Sequence, residues 1–386
     1  MVSRARIRFG ERVSPLELFF DLVFVFAITQ VTALMAANPT WEGMAQGLLV
    51  LAVVWWTWAG YAWLTNTMDP EDGLVRVAIF GAMGAMLLVS LAVPHAFGDD
   101  ALFFAIAYLL VRVAHIVVFA LADITDTELR HAVGTLVPGT LIGTGLLVAA
   151  STQDGWLQGL FWVLAIAFDY GGPFVLGVRG WHMSAAHFAE RHALIVLIAL
   201  GESIVALGIG AEGIPLSVGV VAAALLGVAV ACALWWAYFD VVALVAERKL
   251  RDAVGEAQLR MARDSYSYVH LPMVAGIVLF ALGVKKTLGE VGEPLKLVPA
   301  VGLCGGVALY LLAHVAFRLR NVRTLNRQRL VAAAVLLALV PLTRDAPALG
   351  TLALVAGVTS VLIAYEAIRF AEARERVRRA EAAAAP

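Results

Sequence analysis

The chain has 386 residues, of which 61% are hydrophobic and 15% charged, and its mean hydropathy is +0.86. A soluble domain carries about 25% charged residues, so this chain cannot cover itself with polar surface and is expected to be an integral membrane protein. A formal net charge of −1 gives no clustered excess of Lys and Arg, and no nucleic-acid partner is expected.

The N-terminal segment, residues 1–13, holds Arg4, Arg6, Arg8 and Arg12 and is followed by an apolar run over 15–37. That run is too long for the apolar core of a signal peptide and contains Glu17 and Asp21. It ends in Asn38-Pro39-Thr40 rather than a small-residue cleavage site, so it reads as the first spanning helix. Eleven further apolar stretches follow, at roughly 43–66, 74–96, 101–122, 130–150, 155–177, 187–210, 215–245, 265–284, 297–317, 328–342 and 347–369. Crossing a bilayer takes about 20 helical residues, and the pattern predicts an all-α polytopic membrane protein of about twelve helices. The tail 371–386 reads as a charged helical extension ending in disorder. Cys232 and Cys304 each lie inside an apolar run and read as small hydrophobes. No disulfide, metal site or cofactor is expected.

Basic residues test the count. With a cytoplasmic N-terminus, twenty-three Lys and Arg fall on inside segments and four, Lys285, Lys286, Lys296 and Arg344, on outside ones. Arg112 alone falls mid-membrane. A missed span would scramble that asymmetry, so both termini are expected on the cytoplasmic side of a bacterial inner membrane.

The chain also repeats itself. Glu17–Leu34 lies over Glu190–Leu207, matching the leading Glu, a mid-helix polar pair (Thr29-Gln30 against Glu202-Ser203) and a final Ala-Leu. WWTW at Trp55–Trp58 matches WWAY at Trp235–Tyr238, and YLLVRVA at Tyr108–Ala114 matches YLLAHVA at Tyr310–Ala316. Matches in register order predict two six-helix repeats, 14–178 and 179–370. Six is even, so the two enter from the same side as parallel pseudo-repeats.

Charges inside spans are expensive and need a remedy. Arg112 lies about eleven residues into its helix and Glu202 about twelve into its own, both roughly 16–18 Å deep, and mutual pairing or a hydrated cavity is expected for them. His115 sits one turn from Arg112, and His314 is its repeat counterpart. At 100° per residue, His187, Arg191, Ile195, Ile198 and Glu202 share one stripe of roughly 80°. Glu17 and Asp21 share a face of the first helix, being four residues apart. Asp169 and Asp240 lie in the inner halves of their spans, the sixth and eighth, where they serve either as proton or cation carriers or as acceptors for nearby Arg. The cluster Trp55, Trp56, Trp58 and Tyr61 reads as an interfacial or packing belt, and Gly139-x-x-x-Gly143 as a helix-packing device. Catalytic motifs are scarce: Gly201-Glu202-Ser203 lacks a nucleophile elbow's second glycine, and His187, Glu190 and His192 do not form HExxH.

The opening SPLELFFDLVFVFAITQ (Ser14–Gln30) and the helix with ERHALIVLIALGES (Glu190–Ser203) resemble the two signature segments of the bacterial low-temperature-requirement A family, LtrA. The resemblance spans nearly the whole chain. It implies a polytopic bacterial inner-membrane protein linked to growth in the cold. The reading that fits both the residues and the resemblance is a secondary transporter or ion channel for a small solute, a proton or a monovalent cation, its polar pathway between the two halves. Candidate pathway or binding residues are Glu17, Asp21, Gln30, Arg112, His115 and Asp169, together with Glu190, Arg191, His192, Glu202, Ser203, Asp240 and His314. The alternatives are a membrane-embedded lipid enzyme using the His and carboxylate cluster, and a non-catalytic scaffold for cold adaptation.

Overall fold

The computed structural model describes residues 12–120, 127–175, 177–178, 180–181 and 183–382. Arg4, Arg6, Arg8 and Arg179, and the end of the tail, lie outside the described residues. Among the described residues the regular elements are helices, with one isolated antiparallel bridge between Pro294 and Pro347. In order they are α1 (Pro15–Ala37), α2 (Trp41–Thr67), α3 (Gly73–Ala92), α4 (Ala101–Ala120), α5 (Thr127–Gly134), α6 (Leu136–Ala150), α7 (Gly155–Val175) and α8 (Ala185–Ala211). They continue with α9 (Val218–Phe239), α10 (Val242–Asp252), α11 (Glu256–Met261), α12 (His270–Gly289), α13 (Leu297–Val322), α14 (Arg327–Leu339), α15 (Ala348–Arg369) and α16 (Ala371–Ala382).

Ten helical segments among the described residues are long and apolar enough to cross a membrane. The other two stretches expected to span differ for physical reasons. α7 has 21 residues, but Gln158, Asp169 and an internal Pro173 dilute its apolar character. α14 has 13 residues, about 20 Å of helix against a hydrocarbon core of about 30 Å, and a 3₁₀ turn over Val340–Arg344 follows it.

Chain contacts divide the described residues into two compact units. The first draws on the described residues within Met1–Leu34, Glu42–Arg191 and Val254–Arg263, the second on those within Met35–Trp41, His192–Ala253 and Asp264–Pro386. In the first unit α3 packs on α4, α4 on α6, and α6 on α7. The glycines of Gly139-x-x-x-Gly143 make the α6–α7 contact close. A Cβ at Gly139 would lie 3.3 Å from the Phe168 carbonyl oxygen, and one at Gly143 would lie 3.2 Å from the Asp169 carboxylate. α4 shows the inverted polarity of a helix in lipid: Leu102, Ile106, Leu110, Val113 and Val117 are exposed, while Tyr108, Arg112 and His115 are buried.

In the second unit α12 packs along α13, α13 on α14, α14 on α15, and α15 on α9. Two glycines face each other at the α12–α13 crossing, and a Cβ on Gly276 would come within 2.6 Å of the Gly306 carbonyl oxygen. α12 starts at His270, directly after a π-helical turn over Ala262–Tyr268. Such turns shift side-chain register and recur at functional sites. α13 is capped by Arg323, the residue after its end, which has φ 58°. A side chain is strained there, and Arg323→Gly is expected to raise thermal stability by about 0.5–1 kcal/mol, read as a higher Tm in detergent.

Candidate functional site

The first polar cluster is built on the start of α1. Ser14 and Glu17 form a reciprocal cap: Ser14 Oγ accepts from the Glu17 N–H at 3.3 Å, and Glu17 Oε2 accepts from the Ser14 N–H at 2.8 Å. Pro15 fills the first helical position, where its missing N–H costs nothing. This cap turns Glu17 Oε1 toward α8. There it meets His187 Nε2 at 2.9 Å and Arg191 Nη1 at 3.1 Å.

One turn along α1, Asp21 Oδ1 accepts from Arg191 Nη2 at 2.7 Å and from the Trp58 indole N–H at 2.9 Å. All of Glu17, Asp21, His187 and Arg191 are fully buried. The tautomer of His187 follows from its neighbours. Asn66 is held by Ser184 in both directions, Nδ2 donating to the Ser184 carbonyl at 3.0 Å and Oδ1 accepting from the Ser184 N–H at 2.7 Å. Its Nδ2 therefore also donates to His187 Nδ1, 2.8 Å away, and the neutral ring carries its proton on Nε2, facing Glu17. Two carboxylates, one guanidinium and one imidazole are thus enclosed together, the arrangement a buried charge requires.

A second cluster of the same unit joins α4, α6 and α7. Arg112 Nη2 donates to Thr140 Oγ1 at 2.9 Å and to Asp169 Oδ1 at 3.1 Å, and the Tyr108 hydroxyl donates to Asp169 Oδ2 at 2.6 Å. Of the two remedies expected for Arg112, pairing or a hydrated cavity, the structure shows a pairing, with Asp169, which the close α6–α7 contact at Gly143 brings in. His115 Nε2 donates to the Gly60 carbonyl at 3.0 Å. Its ring lies 5.2 Å from Tyr61, and Tyr61 lies 4.8 Å from Phe20 on α1, so aromatic rings fill the space between the two clusters.

In the second unit, His192 packs edge-on against Tyr266 and His270, each with ring centroids 5.2 Å apart. His270 donates from Nδ1 to the Ser265 carbonyl at 3.0 Å, so its Nε2 accepts from the Tyr238 hydroxyl at 2.8 Å. His314 Nδ1 lies 2.9 Å from Arg329 Nη1. Arginine only donates, so His314 is neutral with its proton on Nε2. Arg329 also grips Glu366 with two bonds, Nε to Oε1 at 3.0 Å and Nη2 to Oε2 at 2.8 Å, and donates to the Ala237 carbonyl at 3.0 Å.

The remaining candidates fall elsewhere. Glu202 is buried on α8 in the second unit, whereas Ser203 donates back to the Leu200 carbonyl of its own helix at 2.6 Å. Glu190 is exposed and accepts from the Val13 N–H at 2.9 Å. Gln30 is half-buried. Asp240 pairs with Arg374 and Arg378 of the tail helix α16. Sequence reasoning missed Trp58 as a donor, Asn66, Tyr108, Thr140, Tyr238, His270, and the Arg329–Glu366 pair. The last was findable, because Glu366 stands inside the final apolar run and needs a cation.

Two comparisons with known proteins bear on the site. The model of the family described as Bacterial low temperature requirement A protein (LtrA) matches residues 12–364, a range that holds both signature segments and the first-unit clusters. The chain is also similar to the protein named Uncharacterized protein RA0937 of Rhizobium meliloti (strain 1021), with 29% identity over 287 residues, 69% of this chain and 67% of that protein.

Proposed function

The chain belongs to the bacterial low temperature requirement A family, and from that premise we propose that it is a transport protein, a secondary transporter or an ion channel for a small solute, a proton or a monovalent cation. The observation that carries the reading is the amount of charge enclosed within apolar helices. Glu17, Asp21, Arg112, Asp169, Arg191, Glu202 and Arg329 are all buried in helices whose outward faces are apolar. Membrane helices retain such groups chiefly where ions or polar solutes pass. In this reading Glu17, Asp21, Arg191, Arg112, Asp169, His115, His192, Glu202 and His314 line or tune the pathway, and Gln30, Ser203, Glu190 and Asp240 flank it.

The proposal includes two parallel six-helix repeats in a bacterial inner membrane, both termini cytoplasmic. Two things support it. The distribution of Lys and Arg follows the positive-inside pattern over twelve spans. The succession of packed pairs in one unit, α3–α4, α4–α6 and α6–α7, has the same order in the other, α12–α13, α13–α14 and α14–α15. Tyr170 of α7 also donates to the Ala52 carbonyl of α2, as α15 packs on α9.

The test is ion flux in proteoliposomes loaded with a pH dye and a potassium dye, comparing wild type with Glu202→Gln at matched reconstitution. Selective flux is expected under one gradient, and the substitution is expected to lower it by roughly tenfold or more while the protein stays folded, since it removes a buried ionisable group. Absence of flux under both gradients overturns ion conduction.

A further inference from the structure

We infer that the second unit carries a binding cavity for a single-chain amphiphilic carboxylate, of the fatty-acid class, beneath the tail helix α16. The cavity has a volume of about 250 Å³. Small-molecule sites typically measure about 300–1,000 Å³, so this one falls just below that range, suited to a single chain and too small for a two-chain lipid. The inference does not depend on the transport reading.

Its walls are largely apolar. Trp236 of α9, Val242 and Val245 of α10, Phe317 of α13 and Val377 of α16 all face it. Its charged lining consists of Arg318, Arg329 and Arg374 against Asp240 and Glu366, which leaves one positive charge in excess. The geometry identifies which one. Arg329 is taken by Glu366, and Arg374 by Asp240. Arg318 donates from Nε to the Thr324 hydroxyl at 2.8 Å, and among the described residues it pairs with no carboxylate. Arg318 is exposed, and a cavity with apolar walls and one guanidinium at its solvent side that no carboxylate pairs is complementary to an apolar chain ending in an anion. Asn321 reinforces the preference for an acceptor: it is buried, its Oδ1 is bonded to Ser265 Oγ, and its Nδ2 donor has no partner.

α16 is the lid. Ala373, Arg374 and Val377 line the cavity from it, Arg374 and Arg378 fasten it to Asp240, and the Arg374 guanidinium lies 5.6 Å from the centroid of the Trp236 ring. Asp240 therefore belongs to the latch of this cavity, and Trp236 is a built-in reporter of its occupancy.

The experiment is tryptophan quenching of the full chain in nanodiscs by 11-bromoundecanoic acid, with 11-bromo-1-undecanol as the uncharged probe. Saturable quenching by the acid is expected, displaced by unbromined undecanoic acid and missing from Trp236→Phe. Val245→Phe, which narrows the cavity, is expected to weaken acid binding at least about tenfold, the cost of overpacking by about 1.4 kcal/mol. Arg318→Gln is expected to weaken the acid several-fold and to leave the alcohol unchanged. Equal affinity for acid and alcohol in the wild type overturns the carboxylate assignment. Quenching that does not saturate, or that is the same in Trp236→Phe and Val245→Phe, reflects partition into the bilayer and overturns the cavity. Should Val245→Phe fail to fold, Trp236→Phe and the undecanoate competition decide the matter alone.

Discussion

Arg191→Met is expected to deplete folded protein more severely than any other single substitution of a charged residue. Arg191 is fully buried and bridges Glu17 and Asp21 through separate nitrogens, at 3.1 and 2.7 Å. Methionine preserves most of the volume, so the loss is electrostatic. It leaves two carboxylates one helical turn apart without the guanidinium that bridges them, beside the neutral His187 ring, Trp58 and the helix cap. Removing one partner of a buried pair costs about 3–5 kcal/mol, and here one removal strands two acids, so the upper end applies. Against a typical total stability of about 5–15 kcal/mol, most of the protein is expected to aggregate on extraction. Monodisperse protein on size exclusion, and its melting temperature, provide the measurement. The triple variant Glu17→Gln, Asp21→Asn, Arg191→Met removes the whole charge set and is expected to recover most of the folded yield, because neutral groups cost far less to bury. If Arg191→Met alone melts within about 2 °C of wild type, the cluster contributes nothing to stability.

The second large effect concerns packing. Gly306→Val is expected to destabilise by about 3 kcal/mol or more, at the top of the range for overpacking. A Cβ at Gly306 would stand 2.7 Å from both the Gly276 carbonyl oxygen and the Phe280 amide nitrogen, backbone atoms with no rotamer to yield. The two helices must separate, and α12 is buried over nearly its whole length, so the strain spreads to every neighbour. The adjacent position is the control. A Cβ at Gly305 meets only the Val301 side chain at 3.5 Å, an ordinary contact, and Gly305→Ala is expected to leave the melting temperature unchanged or slightly raised. A similar loss from both substitutions would show that the close crossing is not what matters.

Most of the helices were legible because an apolar run of membrane length has few other uses. What blurred the reading was local chemistry. Pro173 and Asp169 weaken the apolar signal of α7, and α14 is short enough that its turn and following 3₁₀ segment were counted as part of a span. The candidate site divides the same way. Glu17, Asp21, Arg112 and Arg191 stood out because each is a charge where charge is costly. Their partners did not, since pairing is set by which helices touch. Arg112 and Asp169 are 57 residues apart and meet because two glycines let α6 lie against α7. Trp58 looked like part of a packing belt, and only the position of Asp21 reveals its indole as a hydrogen-bond donor. Arg329, near the start of the span predicted over 328–342, falls with the basic residues of an inside segment, yet it is almost wholly buried.

The Glu17 carboxylate holds two bonds made at very different times in the life of the chain. Its cap on Ser14 forms from neighbours three residues away, as soon as α1 winds. Arg191, which pairs with Glu17 and also, from 170 residues downstream, with Asp21, is synthesised roughly 10–30 s later at ordinary elongation rates. Through that interval α1 waits with two acids and no cation from α8. Premature termination anywhere before α8 would leave that helix permanently in the waiting state, so truncated chains should be recognised and degraded at the membrane rather than accumulate.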